Sequence, residues 1–76
     1  MRFISIVTTK ENLVSNLETF AIFEDQLSND VVADAESFFK KEARKYDANL
    51  DDDDLEISLE EGYIEINDVC ICFVWS

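Results

Sequence analysis

The chain has 76 residues, of which 18 are Asp or Glu and 6 are Lys or Arg, so its formal net charge is −12. This length predicts one domain, residues 1–76. Its 47% hydrophobic content and nine aromatic residues favour a folded protein over an acidic disordered tail. Histidine is absent and there is a single glycine, which argues against histidine-based catalysis and excludes a glycine-rich phosphate loop.

The N-terminal residues and the cysteines point to a cytoplasmic protein. No run of 18 apolar residues is present, and the short apolar stretch at residues 3–7 is soon broken by polar and charged residues, so we expect no membrane span and no signal peptide. Cys70 and Cys72 are i,i+2 neighbours in a predicted strand, about 7 Å apart. We expect both thiols to stay reduced and to serve packing.

The first two predicted elements are a strand and a helix. Residues 2–8 are rich in β-prone side chains and predict a strand. From Lys10 onward, with Thr9 as a candidate cap, apolar residues follow helical spacing and predict a helix whose end is uncertain, because residues 20–23 are also compatible with a strand. The apolar positions are Leu13, Val14, Leu17, Phe20, Ala21 and Phe23 or Leu27.

A second helix is predicted to start at Ser28, a favourable N-cap residue. Acids fall in its first half and bases in its last turns, which suits the helix dipole, and Glu36 and Lys40 have the spacing of an i,i+4 pair. We interpret its basic cluster in this way rather than as a nucleic-acid site. The predicted apolar face consists of Val31, Val32, Ala35, Phe38, Phe39, Ala43 and Tyr46.

The C-terminal part predicts a loop over residues 47–54 and then three antiparallel strands. Apolar and polar residues alternate from Leu55 to Glu60, and Glu61-Gly62 and Asn67-Asp68 are candidate two-residue turns. These turns predict that Leu59 faces Ile64 and that Ile57 faces Ile66. They also predict that Ile66 faces Val69 and that Ile64 faces Ile71.

Together these elements predict an α+β fold of order β-α-α-β-β-β. The sheet is antiparallel, and both helices are expected on its apolar face. We expect the first strand to pair with the last strand, which is the most apolar and therefore central.

The acidic residues are concentrated in the C-terminal segment. Residues 46–76 contain ten acids and no base, which accounts for −10 of the −12 charges. Carboxylates at i,i+2 on a strand lie about 7 Å apart, similar to neighbouring phosphates on a DNA strand. The candidate partner-binding residues are Asp47, Asp51, Asp52, Asp53, Asp54, Glu56, Glu60, Glu61, Glu65 and Asp68. The alternative is an acidic surface that serves only solubility.

Two chemical interpretations of these acids are disfavoured. Asp47, Asn49, Asp51 and Asp53 imitate the first half of an EF-hand loop, but the required glycine and the twelfth-position glutamate are missing. Glu56 and Glu65 resemble an acid–base pair, yet nothing predicts that either is desolvated. We therefore expect no catalytic residue, no metal site and no cofactor.

The chain resembles, as a class, the small acidic proteins with which phages disarm host defences. These are the DNA mimics, the anti-restriction and anti-CRISPR inhibitors and the uracil-DNA glycosylase inhibitor. The resemblance rests on size, charge and element order, with an opening at residues 3–9 similar to such phage proteins, and it assigns no individual residue. It implies a non-enzymatic inhibitor in the host cytoplasm.

Such an inhibitor binds the basic, nucleic-acid-binding surface of a protein, and it binds neither nucleic acid nor membrane itself, since its negative field repels both. The expected state is a monomer or a homodimer. The alternatives are an antitoxin or immunity-like inhibitor of a toxic nuclease, and an assembly protein that oligomerises through the C-terminal strand.

Overall fold

The computed structural model describes residues 2–23 and 28–76, without the side chains of residues 28 and 29. The elements are β1 (Arg2–Lys10), β2 (Leu13–Ile22), α1 (Ser28–Tyr46), α2 (Asp52–Glu61), β3 (Tyr63–Ile66) and β4 (Val69–Trp75). The strands form one antiparallel sheet of order β2-β1-β4-β3. The α+β class, with one sheet and two helices, is confirmed. The predicted element order is wrong, because the order is β-β-α-α-β-β.

The predicted first helix is a strand, β2. Glu11 and Asn12 have φ of 54° and 67°, which suits a two-residue turn between antiparallel strands, and Lys10 faces Leu13 across it. Thr9 lies in β1 and caps no helix. The helical spacing of apolar residues was misleading because Leu13, Val14 and Leu17 are exposed instead of forming a buried stripe. Leu27, proposed for this helix, lies outside the described residues.

The predicted second helix is confirmed as α1. Ala35, Phe39 and Ala43 are fully buried on one face, and Val31, Val32 and Phe38 pack against the same core. Tyr46 was placed on this face but is 39% exposed at the helix end. The capping role proposed for Ser28 concerns a side chain outside the described part. Glu36 does not pair with Lys40; Lys40 instead binds Glu56 of α2.

The predicted strand over residues 55–60 is a helix, α2, so the pairings of Ile57 with Ile66 and of Leu59 with Ile64 are wrong. Asp51 caps the helix by accepting a hydrogen bond from the backbone N–H of Asp54 at 3.1 Å. Gly62, with φ of 91°, ends the helix as a left-handed cap instead of forming a hairpin turn. Three acids in the first turn stabilise this end of the helix dipole.

The C-terminal hairpin has the predicted register. Ile66 faces Val69 and Ile64 faces Ile71, and Asn67 takes the positive φ that the tight turn requires. β4 also pairs with β1, as expected, so these two strands occupy the centre of the sheet.

Both helices cover one face of the sheet, as expected. The core lies between the layers and includes Ile4, Ile6 and Ile71 from the sheet, Phe39 from α1 and Leu55 from α2, all at most 1% exposed. Phe39 meets Phe73 edge to face, with ring centroids 6.0 Å apart. Thr8 is buried on this face, and its hydroxyl has no hydrogen-bond partner among the described residues. No helix among the described residues has the length and apolarity needed to cross a membrane.

Candidate functional site

The densest group of candidate acids lies on the side of α2 that faces away from the core. Leu55 and Leu59 turn inward, so the opposite side of the helix carries Ile57 and the residues three and four positions before and after it. Those neighbours are Asp53, Asp54, Glu60 and Glu61, and all four are exposed. We call these five residues the outer face of α2.

Two further acids of α2 point toward α1 and pair with its bases. Arg44 donates to Asp52 over 2.7 Å, and Lys40 donates to Glu56. The hydrogen bond and charge of Arg44 lower the pKa of Asp52, and the hydrogen bond that Lys40 donates to the Glu56 carboxylate raises the pKa of Lys40. These carboxylates are partly neutralised within the fold, and as exposed ion pairs they link the two helices with only a small effect on stability.

The acids that precede α2 accept hydrogen bonds from backbone N–H groups. The Asp47 carboxylate accepts from the Asn49 N–H at 3.1 Å, and Asp51 is the N-cap. A hydrogen bond and the negative charge from Asp51 both raise the pKa of the nearby Asp54 carboxyl. The run at residues 51–54 therefore forms the N-terminus of α2, and its exposed carboxylates add negative charge at this end of the helix.

Glu65 and Asp68 lie away from α2. Glu65 is on β3, and its neighbours on the sheet place it on the face opposite the helices, whereas Asp68 lies in the turn between β3 and β4. The predicted arrangement of these acids on a loop and the meander that follows it is therefore wrong, because residues 52–61 form a helix. The structure brings Asp53, Asp54, Glu60 and Glu61 together and separates them from the two acids of the hairpin.

Glu42 is a buried acid of α1 that the sequence analysis did not identify, and an ion pair within α1 explains its burial. Its side chain is 4% exposed, and its carboxylate accepts from the Lys45 ammonium at 3.1 Å, one helical turn away. Three of the bases of α1, Lys40, Arg44 and Lys45, thus each bind an acid of the same chain. This supports the interpretation of the basic cluster as intramolecular pairing.

The exposed Ile57 was also missed, because the alternation of residues 55–60 assigned it to a core-facing strand. The signals for the helix were present in the sequence: an Asp three residues before another Asp, acids in a first turn, and a glycine just after the last turn. Among residues 2–23 and 28–76, no cluster of three or more His, Cys, Asp or Glu side chains is arranged to hold a metal.

Comparisons with protein-family models, with curated proteins and with solved structures give no match for this chain.

Proposed function

We propose that this protein is a non-enzymatic inhibitor that binds the basic, nucleic-acid-binding surface of a DNA- or RNA-handling protein through the outer face of α2. The observation that carries the proposal is the separation of two sets of acids. Asp52 and Glu56 are paired with bases of α1, whereas Asp53, Asp54, Glu60 and Glu61 are exposed on the opposite side of the helix.

The geometry of α2 suits a protein groove that normally holds a nucleic-acid backbone. Asp53 and Glu60, like Asp54 and Glu61, are seven residues apart, which is about 10 Å along a helix. The four carboxylates therefore frame a compact, rigid negative patch. Such a patch meets Lys and Arg side chains in the groove and displaces their counterions, as a phosphate backbone does.

Ile57 at the centre of this patch adds a contact that DNA does not offer. It is 55% exposed and is surrounded by the four carboxylates at i±3 and i±4. A central apolar anchor within a charged rim is the usual distribution of energy in a protein interface. The acids would then set the association rate and Ile57 the residence time.

The test is affinity capture from a bacterial lysate on the immobilised protein, with and without excess duplex DNA as competitor, followed by affinity measurements on the captured protein at several salt concentrations. The test variant is Asp53→Asn, Glu60→Gln and Glu61→Gln together. The matched control, Glu11→Gln, Glu18→Gln and Asp34→Asn, removes three exposed acids elsewhere.

We expect DNA to displace the captured protein, and the test variant to bind it more slowly and with a flatter salt dependence than the control. Ile57→Ala should accelerate dissociation and leave the salt dependence unchanged. Equal binding by the test and control variants would assign the acids to solubility and contradict the proposal.

A further inference from the structure

The sheet face opposite the helices is almost uncharged. The register of the four strands places thirteen residues on this face, and Glu65 is its single charged residue, although 24 of the 76 residues of the chain are charged. We call it the open sheet face. Its residues are Phe3, Ser5, Val7, Thr9, Val14, Leu17, Thr19, Ala21, Tyr63, Glu65, Cys70, Cys72 and Val74.

This face exposes large apolar side chains. Val14 is 64% exposed, Leu17 57%, Tyr63 and Val74 45% each and Phe3 38%. Within residues 2–23 and 28–76, both helices contribute to the core on the other side of the sheet, and no element covers this one. A contiguous exposed apolar surface of this kind marks an interaction site.

We propose that the open sheet face binds the same face of a second copy of this chain, so that two sheets stack into a symmetric homodimer. This proposal is independent of the function proposed for α2. A two-fold axis through the face would place each apolar surface against its own copy, with the sheets about 10 Å apart as in a β-sandwich.

The distribution of charge favours a second copy over a basic partner. The open face offers a basic protein one peripheral carboxylate, whereas the outer face of α2 offers four. A dimer between chains of charge −12 requires the acids of the two copies to be far apart. Face-to-face stacking puts the α2 helices on opposite outer sides, more than about 20 Å apart, whereas screening acts over about 8 Å at physiological salt.

The area of the face is compatible with such a dimer. The four strands together are about 19 Å wide and the three longer ones are about 25 Å long; side chains that stand out from the sheet bring the accessible area toward the roughly 600 Å² per partner at which specific interfaces begin. The two central strands carry no charge on this face: Val7 lies opposite Cys72, and the hydroxyl residues Ser5 and Thr9 lie opposite Val74 and Cys70. Glu65 and Tyr63 lie on the edge strand β3, at the rim, where a polar group stays in contact with water.

Edge-to-edge association is less favourable than stacking. β2 is interrupted by a bulge at Ser15, where the register with β1 shifts, and the hydroxyl of Ser15 donates to the Thr8 carbonyl. β3, the other edge, has four residues. Bulges and short edge strands both disfavour pairing with another sheet.

Sedimentation equilibrium from micromolar to millimolar protein, in reducing buffer, tests the proposal. The test variant is Leu17→Lys with Val74→Lys, which puts two charges on the open face and reduces the net charge, so that greater overall repulsion cannot explain a loss of association. The control, Ala33→Lys with Ser37→Lys, makes the same change in charge at exposed positions of α1.

We expect a wild-type dimer that resists added salt, a control that behaves alike, and a test variant whose dimer dissociation constant rises at least about 100-fold. Circular dichroism should show both variants folded. If the test variant fails to fold, Val74→Thr alone, a milder change, should still weaken the dimer.

The thiols give a second measurement. Cys70 and Cys72 lie on the face, so iodoacetamide should alkylate wild type more slowly as the protein concentration rises, and alkylate the test variant at one rate throughout. A wild-type protein that is monomeric up to millimolar concentration would overturn the proposal. So would a dimer that the two lysines leave intact, or a face covered by a different protein while the chain itself stays monomeric.

Discussion

The two outer surfaces of this protein differ in charge and in the amount of apolar surface that they expose. The outer face of α2 presents four carboxylates around Ile57, whereas the open sheet face presents thirteen residues with a single charge. The first surface attracts over distance and depends on salt; the second gains free energy only when it loses water. One chain of 76 residues therefore carries two chemically different surfaces on opposite sides of one core.

This separation depends on the core between the two layers, and on the orientation of α2. The buried residues of α1 and α2 hold the charged layer on one side of the sheet. Changes to the core should therefore affect the protein most, followed by changes to the orientation of α2, to the start of α2 and to its charges.

Phe39→Ala should have the largest effect, because Phe39 is fully buried between the helix layer and the sheet and contacts Phe73. We expect the free energy of unfolding to fall by about 3–5 kcal/mol, measured by urea titration. Tyr46→Ala, at a residue 39% exposed, is the matched aromatic control. A loss below about 1 kcal/mol for Phe39→Ala would mean that the layers are not held together here.

Leu55→Ala and Ile57→Ala should differ sharply, although the residues are two positions apart. On the helix, Leu55 is fully buried and Ile57 is 55% exposed, so we expect a loss of about 2–4 kcal/mol for the first and less than about 0.5 kcal/mol for the second. On a strand both side chains would share one face and both losses would be large. Equal losses in urea titrations would therefore contradict the orientation of α2.

Asp51→Ala removes the N-cap of α2 and should lower the free energy of unfolding by about 1 kcal/mol, since the Asp54 N–H loses its acceptor. Asp51→Asn keeps an acceptor oxygen and should recover most of the loss. Thermal unfolding of the three proteins provides the measurement. An Asn variant no better than the Ala variant would indicate that charge, rather than the cap, stabilises this end.

The smallest expected effect concerns pH. Arg44 lowers the pKa of Asp52, so the ion pair stabilises the fold above the ordinary value near 3.8 and loses this effect as the pH falls through the folded-state pKa. Asp51 raises the pKa of Asp54, so the contribution of Asp54 to the stability of the fold has the opposite pH dependence. It is present at low pH and is lost as the pH rises through the folded-state pKa.

Urea titrations between about pH 7 and pH 3 of wild type, Asp52→Asn and Asp54→Asn measure these two contributions. Relative to wild type, stability should fall less between pH 7 and pH 3 in Asp52→Asn, which lacks the contribution that acid abolishes, and more in Asp54→Asn, which lacks the opposing contribution. Identical pH profiles for all three proteins would show that solvent screens both carboxyls completely.

Local patterns predicted well those elements in which one face is buried and the other is not. α1 has its apolar stripe where expected, and the β3–β4 hairpin has the expected register, because Ile64, Ile66, Val69 and Ile71 point to one side of the sheet and a shift of one residue would expose them. The run of acids at residues 51–61 was also visible in the sequence. Their arrangement was not, because it depends on whether residues 52–61 form a helix or a strand.

The sequence by itself determined the net charge and the acidic C-terminal segment. It was also sufficient to predict the α+β class, the core face of α1 and the register of the β3–β4 hairpin. Only the tertiary structure decided whether residues 13–22 and 52–61 form a helix or a strand, because the spacing of their apolar residues is compatible with both. In β2, a turn with two positive φ angles and pairing with β1 favour the strand. In α2, the Asp51 cap, the ion pairs with α1 and burial of Leu55 and Leu59 against the core favour the helix, and this turns Ile57 and its four acids outward.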